Sequence, residues 1–539
     1  MRTPVLIVGG GPVGLALAGD LGWRGVPCVL VEKTDGRITQ PRMDMVHVRT
    51  MEFCRRWGIV GWVEDAGYNR DYPQDNAWVT SLAGGYELGR EPFPSPSEEK
   101  PPPQSPQKRE RCPQNFFDPV LARLCETYPH VTRRYRTELV DFTEHEAGVV
   151  ARIIDHATGR AEAIEAAYMV ACDGAGGGIR ERLGIKLSGN PVLTYTTNAI
   201  FRRAGLERLH SIAPAYRFIF IGPEGTFATL VAIDGRDHWR FSLVGSRDYR
   251  PPTEADIRAA IERAVGCRFD FEITSIIPWT RRELIADHYG TPRVFLAGDS
   301  AHQLSPTGGF GMNTGIQEAI DLAWKLEARL AGWGGEALLS SYEAERRPIA
   351  ARNVNEAAGN LARMLSPRED RPPAEIFLPG AAGAAARRAF GERFTATMRR
   401  EWFTLGIQLG YRYEGSPLLV PDGTAPPPDE PATYLQTARP GHRAPHVFLA
   451  PGRSTLDLYG RGFALLRFGR ASPDASALVA AAASRGVPLR LCDVVNEAAE
   501  ALYERRLVLV RPDGHVAWRG DRVPDDAPGV VDRVRGAGA

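Results

Sequence analysis

Two segments far apart in the chain contain the residue types that could bind one large ligand. The first is the turn Gly-Gly-Gly-Pro-Val-Gly at residues 9–14, which follows the apolar residues 5–8. Glycines at this spacing permit a tight turn, let the backbone approach a pyrophosphate, and let the next helix pack on the strand. The helix N-terminus adds free N–H groups and the positive end of a dipole. We therefore expect the ADP part of a dinucleotide here, bound by Gly9, Gly11, Pro12, Val13 and Gly14.

The residues that follow complete a β-α-β unit of dinucleotide-binding size. Residues 15–21 have the apolar spacing of a helix, and residues 26–31 predict a second strand that ends at Glu32. A carboxylate there is placed to bind a ribose hydroxyl, and it suits a free 2′-hydroxyl because it would repel a 2′-phosphate. We include the adjacent Lys33 in the same predicted site.

The second segment, residues 296–316, contains Gly298-Asp299 followed by Pro306 and a run of glycines. It suits the flavin end of the ligand whose ADP end binds at the first turn. A glycine-rich turn alone is weak evidence for a dinucleotide. The two segments together indicate FAD.

The chain resembles the single-component FAD-dependent aromatic hydroxylases, the family that includes p-hydroxybenzoate hydroxylase and phenol hydroxylase. Three signatures stand in the family's order: the glycine-rich turn with Glu32, the Asp173-Gly174 motif, and the Gly298-Asp299 segment. Pro41-Arg42 and residues 49–52 also match, so the resemblance covers residues 1 to about 350. The family motif usually continues after Asp-Gly with Asn-Ser, whereas this chain has three glycines at 176–178.

The resemblance implies a role for each matching residue. Asp299 should hold the ribityl chain, and Pro306 should lie beside the flavin ring, close to Gly309. Backbone N–H groups around Gly311, Met312 and Asn313 should face the pyrimidine carbonyls, where a helix N-terminus would stabilise the charge of the reduced flavin. Arg42 should approach the pyrophosphate, Gln114 should contact the ribityl region, and Asp173 should lie where FAD and the nicotinamide cofactor pass.

The chemistry implied is that of the cofactor. NADH or NADPH, bound transiently, reduces the flavin, and O2 then gives a C4a-hydroperoxide that hydroxylates a phenolic or polycyclic aromatic substrate. A phenol becomes a better nucleophile when its hydroxyl loses a proton, so we expect a base beside it. Asp44, five positions before Arg49, is the candidate, against the alternative of a solvated or capping Asp. His47 could join the proton relay or be structural.

The sequence also predicts the architecture, which is an α/β fold of several units. We expect a Rossmann-like FAD-binding domain in two parts (residues 1–188 and 284–425), the second with a helical segment, around an inserted, mostly antiparallel β-sheet substrate domain (residues 189–283). Tyr216, Arg217 and His238 are its candidate pocket residues, although strand alternation prevents all of them from facing one side. Residues 435–539 resemble the thioredoxin-like tail of phenol hydroxylase relatives but lack C-x-x-C, so we expect an interaction or stabilising role.

Composition limits the partners. The 539 residues carry a net charge of +1, which gives no basic bias toward nucleic acid or a membrane surface. The seven cysteines are scattered, which argues against a disulfide framework or a metal site and fits a reducing cytoplasm. No apolar run is long enough to span a bilayer. The expected partner is a small aromatic substrate, and a homodimer is compatible with the sequence.

Three alternatives stay open at this point. On the same fold, a Baeyer–Villiger or epoxidising oxygenase in natural-product tailoring would need no substrate base. A flavin-binding interaction protein would retain FAD without turnover. A flavin halogenase is disfavoured, because those relatives carry a tryptophan-rich motif and a tunnel lysine that this sequence lacks.

Overall fold

The computed structural model describes residues 1–38, 40–245 and 250–538. The strands are β1 (Arg2–Val8), β2 (Cys28–Glu32), β3 (Met45–Val46), β4 (Asn76–Val79), β5 (Glu87–Glu91), β6 (Glu110–Arg111), β7 (Val131–Tyr135), β8 (Thr137–His145), β9 (Gly148–Asp155), β10 (Ala161–Ala171), β11 (Leu187–Arg202), β12 (Arg217–Gly222), β13 (Gly225–Ala232), β14 (His238–Val244), β15 (Glu272–Ala286), β16 (Val294–Leu296), β17 (His302–Gln303), β18 (Phe448–Ala450), β19 (Arg453–Ser454), β20 (Phe463–Phe468), β21 (Leu489–Val494), β22 (Leu507–Val510) and β23 (Val516–Gly520).

The α-helices are α1 (Pro12–Arg24), α2 (Val48–Trp57), α3 (Val60–Glu64), α4 (Gln114–Glu126), α5 (Ile179–Arg182), α6 (Glu254–Val265), α7 (Phe310–Leu330), α8 (Ala337–Glu369), α9 (Gly380–Trp402), α10 (Leu405–Leu409), α11 (Ser476–Ser484), α12 (Glu497–Tyr503) and α13 (Ala527–Val534). Short 3₁₀ turns cover Leu206–Leu209, Gly298–Ser300, Ala374–Phe377 and Thr455–Leu458. Among the described helices, none has the length and apolar character that crossing a membrane requires.

The first sheet has the order β7-β2-β1-β10-β9-β8, with β16 beside β10. Strand β1 is parallel to both β2 and β10, and β16 is parallel to β10. Apolar side chains of β1 are buried against those of α1 and α7, which is why residues 5–8 form a core strand. The predicted β-α-β unit is confirmed. Because the parallel strands end at the same edge, Gly9, Asp173 and Asp299 come together after β1, β10 and β16.

The second sheet has the order β17-β15-β11-β14-β13-β12-β4-β5 and is mostly antiparallel, as predicted. Strands β11 to β14 lie within the predicted residues 189–283, apart from the first two residues of β11. The sheet is not confined to residues 189–283, however. Strand β4 pairs in parallel with β12, and β5 pairs with β4, so an earlier part of the chain extends the sheet. This pairing joins residues far apart in sequence, so no local sequence pattern predicts it.

The C-terminal unit has a four-stranded sheet in the order β21-β20-β22-β23. Strands β20 and β21 are parallel and joined through α11, whereas β22 is antiparallel to β20 and β23 is antiparallel to β22. With α13 at the end, this is the βαβ-ββα arrangement of thioredoxin-like folds. The α/β architecture expected from the sequence is therefore confirmed.

A buried ion network attaches this C-terminal unit to the rest of the protein. The guanidinium of Arg511, fully buried, donates to Glu345 on α8, to Asp321 on α7 and to Asp513. The ammonium of Lys325 donates to Asp321 at 2.8 Å and to Glu345 at 2.6 Å. Two cations therefore satisfy three carboxylates across the junction.

Further contacts tie the same unit to α2 and to the start of α8. Arg443 is fully buried and donates to both carboxylate oxygens of Glu52. Arg49, one turn earlier on α2, donates to the carbonyl of Asp513 at 2.7 Å. The amide of Gly335 donates to the carbonyl of Arg535 at 2.7 Å. The C-terminal unit is thus part of the folded core.

We expect Arg511→Met to destabilise the protein by about 3–5 kcal/mol, because it leaves the single ammonium of Lys325 to balance three buried carboxylates. Chemical denaturation followed by far-UV circular dichroism would measure the change in midpoint. Arg467→Met is the matched control, since Arg467 pairs with the largely exposed Asp493 on the same unit. Equal midpoints for the two variants would contradict this role for Arg511.

Candidate active site

A cavity of about 620 Å³ lies at the carboxyl edge of the first sheet and extends to one face of the second. Most predicted site residues line it: Gly9, Gly11, Pro12, Val13, Glu32, Arg42, Asp44, His47, Gln114, Asp173, Tyr216, Arg217, Asp299, Pro306, Gly309, Gly311 and Met312. Among the described residues, Gly14, Lys33, Asn313 and His238 are not part of this lining. Three distant sequence signatures therefore meet at one site.

Three of the four glycines of the first turn differ in what surrounds them. Gly9 has φ +114°, and a Cβ there would lie 2.1 Å from the carbonyl oxygen of Cys172 on the neighbouring strand. A Cβ at Gly14 would lie 2.0 Å from the carbonyl oxygen of Gly9. At Gly11, no described heavy atom would lie within 4 Å of an added Cβ. The fold itself requires Gly9 and Gly14, whereas Gly11 leaves room for a ligand.

The carboxylate of Glu32 is fixed across the mouth of this turn. One oxygen accepts from the amide of Gly10 at 2.8 Å, and the other accepts from the amide and the hydroxyl of Thr34. Glu32 stands at the cavity wall, where a ribose hydroxyl could reach it. Lys33 follows it outside the lining.

At the flavin end of the cavity, two charged groups have no hydrogen-bond or ion-pair partner in the described part of the chain. No hydrogen bond is donated to the carboxylate of Asp299, and burial raises its pKa although His302 and Arg42 act to lower it. The guanidinium of Arg42 stacks over Trp279 at 5.2 Å without a carboxylate within 4 Å. An acceptor without donors and a cation without an anion are what ribityl hydroxyls and a pyrophosphate would complete. Together with the space at Gly11, they fit FAD.

Helix α7 begins at the cavity, where Gly309 precedes it with φ +69°. The N–H groups of its first turn have no acceptor within the helix. The side chain of Asn313 accepts from the amide of His47 and the hydroxyl of Thr50, and donates to the carbonyls of Met45 and Gly309. Asn313 therefore secures the start of α7 from outside the cavity.

The departure from the family motif at residues 176–178 has a steric explanation. The carboxylate of Asp173 accepts from the hydroxyl of Ser300 at 2.7 Å and from the amide of Ile179 at 3.2 Å. A Cβ at Gly177 would lie 2.0 Å from this carboxylate. Gly177 therefore lets Asp173 fold back onto the loop that follows it, whereas an added Cβ at Gly176 or Gly178 would meet no described atom within 4 Å. Burial raises the pKa of Asp173.

Asp44 lies at the centre of a charged cluster on the substrate side of the cavity. Its carboxylate accepts from Arg111 at 2.8 Å, from Arg240 at 3.3 Å and from the hydroxyl of Tyr216. The guanidinium of Arg111 also stacks on the Tyr216 ring at 3.5 Å. Burial would raise the pKa of Asp44, but Arg111 and Arg240 outweigh it and lower this pKa below its ordinary value. The carboxylate is ionised and its oxygens are occupied.

His47 is buried beside this cluster and packs edge-on against Phe310 at 6.0 Å. Burial, helped by the charge of Arg109, lowers the pKa of His47 to about 3. The imidazole is therefore neutral at physiological pH.

Two of the three predicted pocket residues of the second sheet line the cavity, and the third does not. Tyr216 and Arg217 both line the cavity, because β12 begins at Arg217 and Tyr216 lies before the alternation starts. His238 does not line it among the described residues. It lies at the first position of β14, and Asp234 in the preceding turn contacts its ring nitrogen at 3.0 Å. Trp239 points into the core on the other face.

Sequence reasoning missed several residues that form the cavity wall. On the sheet they are Thr196 and Asn198 on β11, Thr229 and Val231 on β13, Arg240 and Ser242 on β14, and Ile277, Trp279 and Arg281 on β15. They alternate with period two, so the pattern could have identified each set once one member was known. Glu401 and Trp402 lie at the end of α9 and also line the cavity. No sequence pattern near them predicts this position.

We expect Gly11→Ala and Gly9→Ala to fail for different reasons. Gly11→Ala should fold normally but lose FAD affinity by at least about tenfold, because the new Cβ occupies ligand space. Gly9→Ala should lower the thermal midpoint of the protein even after FAD removal, because the Cβ meets Cys172. Flavin retention on gel filtration and melting of the apoprotein would separate the two effects, and an unstable Gly11→Ala apoprotein would contradict the assignment.

We expect the buried His47 to make the free energy of unfolding depend on pH under acidic conditions. Because the pKa of folded His47 is about 3 and that of an unfolded histidine is near 6.5, the unfolded state binds more protons between these values. Stability contributed by His47 is thus present above about pH 6.5 and is lost as pH falls, by at most about 1.4 kcal/mol per pH unit. His47→Gln should flatten the dependence of unfolding free energy on pH. The exposed His156 provides the control His156→Gln, and equal slopes in the two variants would contradict the prediction.

Comparisons with known proteins agree with this geometry. A family model described as FAD binding domain matches residues 2–357, and one described as aromatic-ring hydroxylase, C-terminal, matches residues 437–537. The chain is 32% identical to the tetracenomycin A2 monooxygenase-dioxygenase of Streptomyces glaucescens, covering 98% of this chain and 95% of that protein. It is 30% identical to the 2,4-dichlorophenol 6-monooxygenase of Delftia acidovorans, over 100% of this chain and 97% of that protein.

Among solved structures, the rebeccamycin biosynthetic enzyme RebC with reduced flavin superposes with a TM-score of 0.92 at 41% identity, over 100% of this chain and 99% of that chain. The predicted family, the FAD cofactor with NADH or NADPH and O2 as co-substrates, and the monooxygenase activity are confirmed. The chain belongs to the FAD-dependent aromatic-ring hydroxylases.

Proposed function

We propose that this enzyme hydroxylates a polycyclic aromatic compound that lies between the flavin site and the inner face of the second sheet. The observation that carries this proposal is the width of the cavity wall. Lining residues come from β15, β11, β14, β13 and β12, which are consecutive in the sheet. Four spacings of about 4.8 Å make this wall about 19 Å across, far wider than a single phenol ring.

The character of the wall supports the same substrate class. On the sheet, apolar surface comes from Val231, Ile277 and Trp279. Phe93 and Trp402, which do not belong to the sheet, also line the cavity. Flat aromatic side chains favour stacked or edge-on contact with a planar ligand. RebC crystals soaked with chromopyrrolic acid hold 7-carboxy-K252c, and another relative is named for tetracenomycin A2.

Bound FAD, once reduced by NADH or NADPH, activates O2 so that one oxygen atom enters the ring and the other leaves as water. The chain's own residues must hold the ring beside the flavin site and keep water out. Asp44 contributes by ordering Tyr216, Arg111 and Arg240 along the wall. A proton acceptor needs a free oxygen and an unshifted or raised pKa, whereas the Asp44 oxygens already accept from three donors. We therefore place Asp44 as a positioning residue rather than the substrate base.

The first test of the proposed function is substrate-stimulated NAD(P)H oxidation by the purified yellow protein. The panel is a set of simple phenols, a hydroxylated anthraquinone and a cyclic ketone, with product mass recorded. We expect the anthraquinone to gain one oxygen atom in step with NAD(P)H loss. Oxygen gain on the ketone alone would indicate Baeyer–Villiger chemistry instead, and stimulation by simple phenols alone would contradict the polycyclic class.

We expect Asp44→Asn to retain FAD but to slow hydroxylation by about 100-fold, because loss of the anion lets Arg111 and Arg240 shift out of place. Tyr216→Phe removes one donor and keeps the anion, so its loss should be smaller. Hydroxylation rates measured across pH distinguish the two roles. If Asp44 positions its neighbours, its substitution lowers the rate by a similar factor at every pH. Recovery of the Asp44→Asn rate at high pH, where a phenol ionises unaided, would make Asp44 the base.

A cytoplasmic location is also part of the proposal. All seven cysteines are free thiols, and most are buried, which suits a reducing compartment. The homodimer that the sequence allows would be tested by light scattering coupled to gel filtration.

A further inference from the structure

Arg281 is a buried cation on the substrate side of the cavity. Only 5% of the residue is exposed, and it lines the cavity from β15. Its Nε donates to the hydroxyl of Thr196 at 2.9 Å, and Nη1 lies 3.5 Å from the hydroxyl of Ser305. Within the described ranges, no carboxylate comes within 4 Å of the guanidinium. Both hydrogen-bonding neighbours are neutral, and Glu401, the carboxylate whose charge attracts Arg281, is already paired with Arg217.

The other arginines on this side of the cavity are all paired. Arg109 donates to Glu99 at 2.8 Å, Arg111 to Asp44 at 2.8 Å, Arg217 to Glu401 at 2.7 Å and Arg240 to Asp44 at 3.3 Å. Five guanidinium groups therefore share three carboxylates on the substrate side. The three carboxylates at the far end, Glu32, Asp173 and Asp299, belong to the flavin site and do not reduce this local excess.

An unpaired buried cation is costly, because burial removes its hydration without supplying a counter-charge. Burial, with repulsion from Arg217 and Arg240, outweighs the attraction of Glu401 and lowers the pKa of Arg281 to about 10. The guanidinium nevertheless stays protonated at neutral pH. A fixed positive charge that faces a cavity and lacks a partner requires an anion from outside the chain.

We propose that Arg281 binds a carboxylate of the aromatic substrate, which makes this enzyme selective for aromatic acids over their neutral analogues. This inference rests on the proposed function and names the chemical class of its substrate. A planar carboxylate carries one charge and matches the donor fork of one guanidinium. Ser305 precedes Pro306, the residue expected beside the flavin ring, so the acid group would lie near the flavin and fix which ring carbon is presented.

Arg282 provides a matched control. It is the next residue on β15, so its side chain points to the opposite face of the sheet. It donates to the side chain of Gln303 at 2.7 Å and is not part of the cavity lining among the described residues. Arg281→Met and Arg282→Met remove the same charge from opposite faces of one strand.

The test is a binding titration of the oxidised holoenzyme, followed by the change in flavin absorbance, and it requires no turnover. The probes are anthraquinone-2-carboxylate and anthraquinone-2-carboxamide, which have similar shape and differ in charge. We expect the wild type and Arg282→Met to bind the acid at least about tenfold more tightly than the amide, equivalent to about 1.4 kcal/mol. Arg281→Met should lose this preference, and Arg281→Lys should keep part of it.

Several outcomes would overturn the proposal. One is a wild-type enzyme that binds the amide as tightly as the acid, or that binds neither, a result that does not depend on how the variants fold. Another is an Arg281→Met variant that keeps the preference. A shift in the flavin reduction potential of Arg281→Met without a change in preference would assign the guanidinium to the flavin instead. Selective binding of the acid without any oxygenated product would contradict the proposed function. The same result would still support a carboxylate-binding site at Arg281.

Discussion

The close parallel packing of β1, β10 and β16 is the constraint on which the cofactor site depends. The amide of Cys172 donates to the carbonyl of Val8 at 2.8 Å, and the amide of Ala297 donates to the carbonyl of Ala171 at 3.0 Å. These bonds fix the three strand ends side by side. The backbone of Gly9 then lies so close to Cys172 that no side chain fits between them. Because of this spacing, three short motifs from distant parts of the chain can act on one ligand.

Charge pairing organises the other half of the cavity. Most cations there have an acidic partner within the protein, and Asp44 serves two arginines at once. Such pairs hold side chains in one arrangement and reduce the positive charge that a ligand meets. The groups without partners are therefore informative: Asp299 and Arg42 lie where FAD is expected, and Arg281 lies toward the substrate. The unpaired charges thus mark the places that ligands complete.

The sequence predicted those features that depend on local patterns. The β-α-β unit follows from apolar periodicity, and the glycine motifs identified the cofactor edge. The mostly antiparallel inserted sheet and the thioredoxin-like C-terminal unit were also expected. Features that depend on tertiary pairing were not predictable. Strands β4 and β5 extend the second sheet, and Glu401 on α9 lines the cavity. Both features bring together residues that are far apart in the chain. The predicted pocket role of His238 is not supported by its position, because Asp234 in the preceding turn engages its ring.

The attachment of the C-terminal unit has a consequence for how the protein is made. Glu52, Asp321 and Glu345 are buried carboxylates whose arginine partners, Arg443 and Arg511, are translated much later. Domains usually fold in order as they leave the ribosome. Here the junction between the FAD-binding part and the C-terminal unit cannot form until residues 511–536 have emerged, since these residues also contact Gly335 and Ala337. Formation of this junction therefore waits until almost the whole chain is available, and a chain interrupted before the C-terminal unit would expose buried acids.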